Sequence, residues 1–130
     1  MLPIRSDADV VAARQHARTI AQEMGFGATD VTLWATAISE IARNITTYAG
    51  EGEIVLSVVR RDDRAGIRVE ARDEGPGIRD VERAMEDGYS TGSGMGLGLP
   101  GARRLTDEFA IDSRPGQGTT VVMVKWGRAT

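Results

Sequence analysis

The sequence predicts an α+β fold in which helices cover one face of a mixed, mostly antiparallel sheet. Two segments in the first half of the chain carry apolar residues at helical spacing, and residues 67–72 alternate strictly between apolar and charged side chains. The predicted elements follow the order ααββ(α)αββ. With 130 residues, of which 41% are hydrophobic and 27% charged, the chain fits one domain spanning residues 1–130.

The composition excludes several kinds of site. The chain has no cysteine and a single histidine, His16, so thiolate zinc sites, iron–sulfur clusters and multi-histidine metal sites are excluded. Lys125 is the only lysine, and it does not follow a glycine-rich loop as the P-loop requires. The net charge of −3 gives no reason to expect nucleic acid binding, and no apolar run is long enough to span a membrane. We therefore expect a cytoplasmic protein.

The first helix is predicted to begin after Ser6, because Ser6 and Asp9 resemble a capping box. It is expected to end at Gly25. The apolar residues at helical spacing between these positions are Val10, Ala13, Ala17, Ile20 and Met24. Because this stripe is thin and rich in alanine, we expect the helix to lie on the flank of the domain.

The second helix is predicted to begin near Thr29 or Asp30, which are both good N-cap residues, and to end at Gly50. Its main stripe is the most periodic in the chain. The stripe comprises Trp34, Ile38, Ile41, Ile45 and Tyr48.

The remaining elements are mainly strands. Residues 53–59 and 67–72 are separated by a turn cluster and predict a hairpin with one solvated face. A short helix over residues 80–87 has only a weak pattern. Pro100 is expected to open a helix through Leu105. Phe109 and Ile111 then start a strand, residues 113–118 form a turn, and a last strand has one face made of Thr120, Val122, Val124 and Trp126.

The second helix carries a polar pair with chemical potential. Glu40 and Asn44 are four residues apart and project from one side, in line with the apolar Leu33 and Ala37. At the border of a buried stripe, a carboxylate can take a proton from a hydroxyl, and an amide oxygen can hold a hard divalent cation. From this helix alone, the alternative that both residues are solvated stays open.

A second motif follows the alternating strand. Asp73, Gly75 and Gly77 form Asp-x-Gly-x-Gly, whose glycines let the backbone approach a flat ligand. A carboxylate at this position can accept a hydrogen bond from an exocyclic amine such as that of adenine. An ordinary turn is the alternative.

A third motif is a glycine tract, with six glycines in residues 88–101. The glycines of residues 92–101 expose consecutive backbone N–H groups, which can form an anion-binding nest in front of a helix N-terminus, and this predicts a phosphate site. The tract also matches G-x-G-x-x-G, but neither the strand of a dinucleotide-binding fold nor the β3 lysine of eukaryotic-type protein kinases accompanies it.

Together the motifs resemble those of the GHKL ATP-binding superfamily, which includes gyrase-type ATPases, histidine kinases and small bacterial serine kinases. The pair Glu40 and Asn44 is similar to its N box. The resemblance implies that Asn44 ligates Mg²⁺ and that Glu40 orients or deprotonates the acceptor hydroxyl.

The nucleotide base is assigned to two further motifs by the same resemblance. Asp73 with Gly75 and Gly77 is similar to the G1 box, and Gly118 with Thr119 is similar to the last motif. Asp73 would bind the adenine amine, the two glycines after it would line the base pocket, and Thr119 would assist at the adenine.

The glycine tract is similar to the G2 box, so Gly94, Gly96 and Gly98 would wrap the phosphates of ATP. The order and spacing of the motifs agree over about residues 29–126. The resemblance therefore implies the GHKL two-layer sandwich for nearly the whole chain.

Within the superfamily, residues 37–44, 87–91 and 96–102 are similar to those of the stressosome switch kinases. This implies a protein serine/threonine kinase that phosphorylates STAS-domain partners of the RsbS and RsbR type, and that binds and activates a PP2C-type, RsbU-like phosphatase. The alternatives are an anti-sigma factor kinase, a non-catalytic nucleotide-dependent interaction module and, less favoured, a fragment of a sensor histidine kinase.

Overall fold

The computed structural model describes residues 2–75, 98–114 and 116–127. The elements are β1 (Leu2–Ile4), α1 (Asp7–Glu23), α2 (Ala28–Tyr48), β2 (Gly52–Arg61), β3 (Arg64–Asp73), α3 (Gly98–Arg104), β4 (Glu108–Arg114) and β5 (Gly118–Trp126). The predicted α+β class is confirmed. The short helix predicted over residues 80–87 lies outside the described residues.

The five strands form one sheet in the order β1-β2-β3-β5-β4. All pairings between the described strands are antiparallel, so this part of the sheet is not mixed. Strand β1, which the sequence pattern does not predict, pairs with residues 52–54 at the start of β2. In the register of the sheet, Asp73 lies between Gly52 of β2 and Thr119 of β5.

Helix α1 begins as predicted. The Ser6 hydroxyl accepts a hydrogen bond from the Asp9 amide at 3.3 Å, and the Asp9 carboxylate accepts one from the Arg5 amide at 2.9 Å. The buried face is made of small residues, with Val10 and three alanines. Because small side chains permit close approach of two helices, α1 packs directly along α2.

Helix α2 begins at Ala28 with Gly27 as its N-cap, so the predicted caps Thr29 and Asp30 are wrong. Gly27 adopts the extended geometry of an N-cap, and its carbonyl accepts a hydrogen bond from the Val31 amide at 2.9 Å. The Asp30 carboxylate instead lies 3.7 Å from the ammonium of Lys125, whose side chain is only 11% exposed. An acidic side chain near a helix N-terminus thus serves a tertiary ion pair here.

The stripe of α2 forms the centre of the core. Trp34, Ile38, Ile41 and Ile45 are buried, as predicted. They face the apolar side of the sheet, to which β3 contributes Ile67, Val69 and Ala71. Among the helices that the structure describes, none has the length and apolar character needed to cross a membrane.

The other face of β3 is charged, as its alternation predicts. Arg72 lies 2.6 Å from Glu70 and 3.7 Å from Glu53 on β2. Arg68 also pairs with Glu70, at 3.5 Å. All helices described here therefore lie on the opposite face, where the apolar residues are.

Candidate functional site

The polar pair on α2 lies at the border of the core. Ala37 is fully buried, whereas one turn later the row continues with Glu40, whose side chain is 9% exposed, and then with the half-buried Asn44. The predicted change from apolar to polar along this row is therefore present. Within the described residues, the amide of Asn44 makes no side-chain hydrogen bond, so its oxygen is available to a ligand.

The buried carboxylate of Glu40 has a cationic neighbour that the sequence reasoning missed. Nη1 of Arg43 donates a hydrogen bond to Oε1 of Glu40 at 3.2 Å. The Arg43 side chain is 52% exposed, so the pair connects a buried acid to the protein surface. The spacing of three residues on a helix was the signal that would have revealed it.

Asp73 ends β3 in a half-buried position. Its Oδ1 accepts a hydrogen bond from the Gly75 amide at 2.9 Å. In the part of the chain that the structure describes, its carboxylate accepts no other hydrogen bond, which leaves Oδ2 for an external donor. The carboxylate is thus fixed by its own turn and is able to bind an amine.

Three glycines surround the Asp73 backbone. A Cβ at Gly75 would lie 2.6 Å from Ala49 at the C-terminal end of α2. A Cβ at Gly52 would overlap the Arg72 carbonyl oxygen, and one at Gly118 would overlap that of Asp73. The close packing around the Asp73 backbone is therefore possible only because these three residues lack side chains. Gly52 is a member of this group that the sequence motifs do not include.

Thr119 is buried directly across from Asp73 on β5. Its hydroxyl lies 2.7 Å from that of Ser113 on β4, and Ser113 in turn donates to the Gly118 carbonyl at 3.3 Å. Either hydroxyl can donate in this pair, and the Thr119 oxygen can accept a further hydrogen bond in both cases. Ser113 is a third residue that the sequence reasoning missed, because only the β4–β5 register brings it to Thr119.

The turn at Asp73 lies close to the helix that carries Glu40 and Asn44. Because Gly75 contacts Ala49, the turn at Asp73 lies against the C-terminal end of the helix. At about 1.5 Å per residue, Asn44 lies about 7 Å, and Glu40 about 13 Å, from Ala49 along the helix axis. From the C-terminal end of α2 towards its N-terminal end, the order is therefore Asp73, Asn44 and Glu40.

The last residues of the glycine tract lie in a helix that packs against α2. Gly98 is the first residue of α3, two residues before the predicted start, and α3 packs against α2. The other predicted members, Gly77, Gly94 and Gly96, lie outside the described residues.

The chain is similar to known proteins over nearly its whole length. The profile of the "Histidine kinase-like ATPase domain" family matches residues 4–125. The serine/threonine-protein kinase RsbT of Bacillus subtilis (strain 168) is 49% identical over 125 residues, which cover 96% of this chain and 94% of that protein. An anti-sigma F factor of Caldanaerobacter subterraneus subsp. tengcongensis is 36% identical over 97 residues, which cover 70% of this chain and 66% of that protein.

A solved structure supports the fold. The mycobacterial sensor histidine kinase MprB superposes with a TM-score of 0.58, and the match covers 98% of both chains. The two sequences are only 17% identical, so this likeness concerns the fold alone.

Proposed function

Since the chain belongs to the histidine kinase-like ATPase domain family, we propose that it is an ATP-dependent protein serine/threonine kinase of a bacterial partner-switching pathway. One observation supports the proposal: the half-buried carboxylate of Asp73 lies near the C-terminal end of α2, and the amide of Asn44 and the buried carboxylate of Glu40 follow along the same helix. A nucleotide-binding module without catalysis needs the first two groups but has no use for a buried base.

The base of the nucleotide is proposed to bind at the end of β3. Oδ2 of Asp73 would accept the adenine amine, and Thr119 would support the base from β5. Gly75, with Gly77, would give a flat ring access to the backbone, because neither residue has a side chain. We propose that the backbone amides of Gly94, Gly96 and Gly98 hold the phosphates.

Asn44 is the proposed protein ligand of Mg²⁺. The donor fits, because Mg²⁺ takes oxygen ligands and is held in phosphoryl-transfer enzymes by one or two protein groups together with phosphates and water. When bound, the ion neutralises charge on the phosphates of the nucleotide.

Glu40 is proposed to act on the acceptor side. Its carboxylate would take the proton of a serine or threonine hydroxyl, whose oxygen forms a bond to the γ-phosphorus while the bond to the β,γ-bridging oxygen breaks and ADP leaves. Burial of Glu40 keeps water from competing for the carboxylate.

The proposed acceptors are STAS-domain proteins, and a PP2C-type phosphatase is the proposed second partner. Both proposals rest on the likeness to RsbT over 96% of the chain and on the signature residues 37–44 and 96–102. The anti-sigma F factor relatives support a second candidate, a kinase that also binds a sigma factor.

One experiment separates the two candidates. The protein is incubated with labelled ATP, Mg²⁺ and a STAS-domain protein of the RsbS type, and the phosphosite is mapped. In parallel, a sigma factor and the STAS-domain protein are compared in a pull-down. Phosphate on a STAS serine or threonine without sigma binding is the expected result. Stable capture of the sigma factor would favour the second candidate, and no transfer to any STAS protein would contradict the proposed substrate class.

Asp73→Asn is expected to weaken ATP binding roughly 10- to 100-fold, which corresponds to an unsatisfied polar contact. Oδ1 of Asp73 accepts a hydrogen bond from the Gly75 amide. An asparagine that keeps this bond must present its NH₂ group to the adenine amine, so that two donors face each other. Calorimetry with ATP and with ITP measures the effect. ITP has a carbonyl at that position, so its affinity for Asp73→Asn should be close to, or higher than, its affinity for the wild type.

Asp63→Asn is the matched control for this experiment, because Asp63 lies in the exposed turn of the β2–β3 hairpin. It should bind ATP like the wild type. Equal ATP affinity of Asp73→Asn and the wild type would remove Asp73 from base recognition.

A further inference from the structure

The polar contacts of Arg43 with residues that the structure describes are all made to Glu40, the proposed catalytic base. Its guanidinium makes one hydrogen bond within residues 2–75, 98–114 and 116–127, from Nη1 to Oε1 of Glu40 at 3.2 Å. The partner carboxylate is 9% exposed, whereas the arginine is 52% exposed. Removing the guanidinium therefore changes the surroundings of Glu40 without breaking a tertiary contact of its own.

Stability gives little reason for this pair. Ion pairs at this spacing on exposed helices contribute only about 0.2–0.5 kcal/mol, and the arginine of this pair is itself half exposed to water. Orientation gives a better reason, because a hydrogen bond to a charged group narrows the choice of rotamers of the Glu40 carboxylate. Both residues belong to α2, so the contact does not depend on movements of other elements.

We propose that Arg43 is a positioning residue for phosphoryl transfer, which holds the Glu40 carboxylate in the rotamer that receives the acceptor proton. This inference rests on the proposed kinase function. Arg43 binds one carboxylate oxygen through one nitrogen, so the contact needs a positive charge and a single donor, and not the two-pronged geometry of a guanidinium. A lysine at this position can supply both.

The test compares Arg43→Met with Arg43→Lys in single-turnover transfer of labelled phosphate to a STAS-domain protein of the RsbS type. Arg43→Met should lower the transfer rate about 10-fold, an effect in the range measured for coupled neighbouring residues. Arg43→Lys should restore most of the rate. The KM for ATP and the ATP affinity by calorimetry should not change in either variant, because the contact lies about 13 Å along α2 from the base end of the site.

A double-mutant cycle with Glu40→Gln shows whether Arg43 acts through Glu40. In the Glu40→Gln background, Arg43→Met should cause no further loss of rate, whereas an independent structural effect would add to that of Glu40→Gln. Arg14→Met is the matched control, since Arg14 is an exposed arginine on α1 with no polar contact within the described residues. It should transfer phosphate at the wild-type rate.

The outcomes distinguish this inference from the function on which it rests. If the wild type transfers phosphate and Glu40→Gln does not, but Arg43→Met is as fast as the wild type, the positioning role is wrong and the kinase stands. Additive losses in the cycle, or no rescue by lysine, also overturn the role. If the wild type itself transfers no phosphate, the kinase function and this inference fail together.

Discussion

Glu40→Gln is expected to slow phosphoryl transfer by roughly 10²–10⁴-fold and to leave ATP binding unchanged. The amide has the shape of the carboxylate but cannot take the acceptor proton. Its position, about 13 Å along α2 from the end of the helix that contacts Gly75, keeps it away from the groups proposed to bind the base. Single-turnover transfer with labelled ATP measures the rate, and calorimetry measures the ATP affinity.

Glu23→Gln provides the comparison for this variant. Glu23 is the exposed last residue of α1 and makes no ion pair within the described part of the chain, so the same chemical change there should have no effect on either quantity. A Glu40→Gln protein that transfers phosphate at the wild-type rate would show that another group takes the proton. A large loss of ATP affinity would show that Glu40 acts on binding instead.

Gly118→Ala is expected to cause the largest loss of stability, about 2–4 kcal/mol of the free energy of unfolding. Gly118 has a φ of +90°, which an alanine adopts only with strain, and a Cβ there would overlap the Asp73 carbonyl oxygen and lie 2.9 Å from the Glu74 Cα. Either β5 or the turn after β3 must move. Urea unfolding measures the stability, and ATP affinity should fall as well because Asp73 is displaced.

Gly116→Ala separates strain from overlap. Gly116 lies just before β5 with a φ of +77°, but a Cβ there would meet no atom within 4 Å. It should therefore cost only the strain of the positive φ, about 1 kcal/mol, and leave ATP affinity unchanged. Equal losses of stability in the two variants would show that the close approach to Asp73 is unimportant.

Much of the fold follows from local patterns. The stripe of α2 and the alternation of β3 predict elements whose buried residues are the same in the structure. Strand β1 escaped prediction because three residues are too few to show a period, and it exists through its pairing with β2. The predicted N-cap of α2 was wrong. The carboxylate of Asp30 interacts instead with Lys125, which is 95 positions away in the chain and comes close only when the chain folds.

Some residues of the candidate site could be predicted from local motifs, and others could not. Asp73 and Thr119 stand in motifs of fixed spacing, so the sequence could indicate both, and the register places them opposite each other. Ser113 and Gly52 belong to no such motif. Their importance comes from a strand pairing and from a close backbone approach, and neither can be calculated from spacing along the chain.

The ion pair between Lys125 and Asp30 has a practical consequence for experiments. Since Lys125 is the only lysine and is nearly buried, the folded protein offers amine-reactive reagents little besides its N-terminus. Acylation of the ε-amine should therefore be faster when the segment around β5 opens. The acylation rate therefore reports on that opening, and any ligand that stabilises the native state should lower the acylation rate.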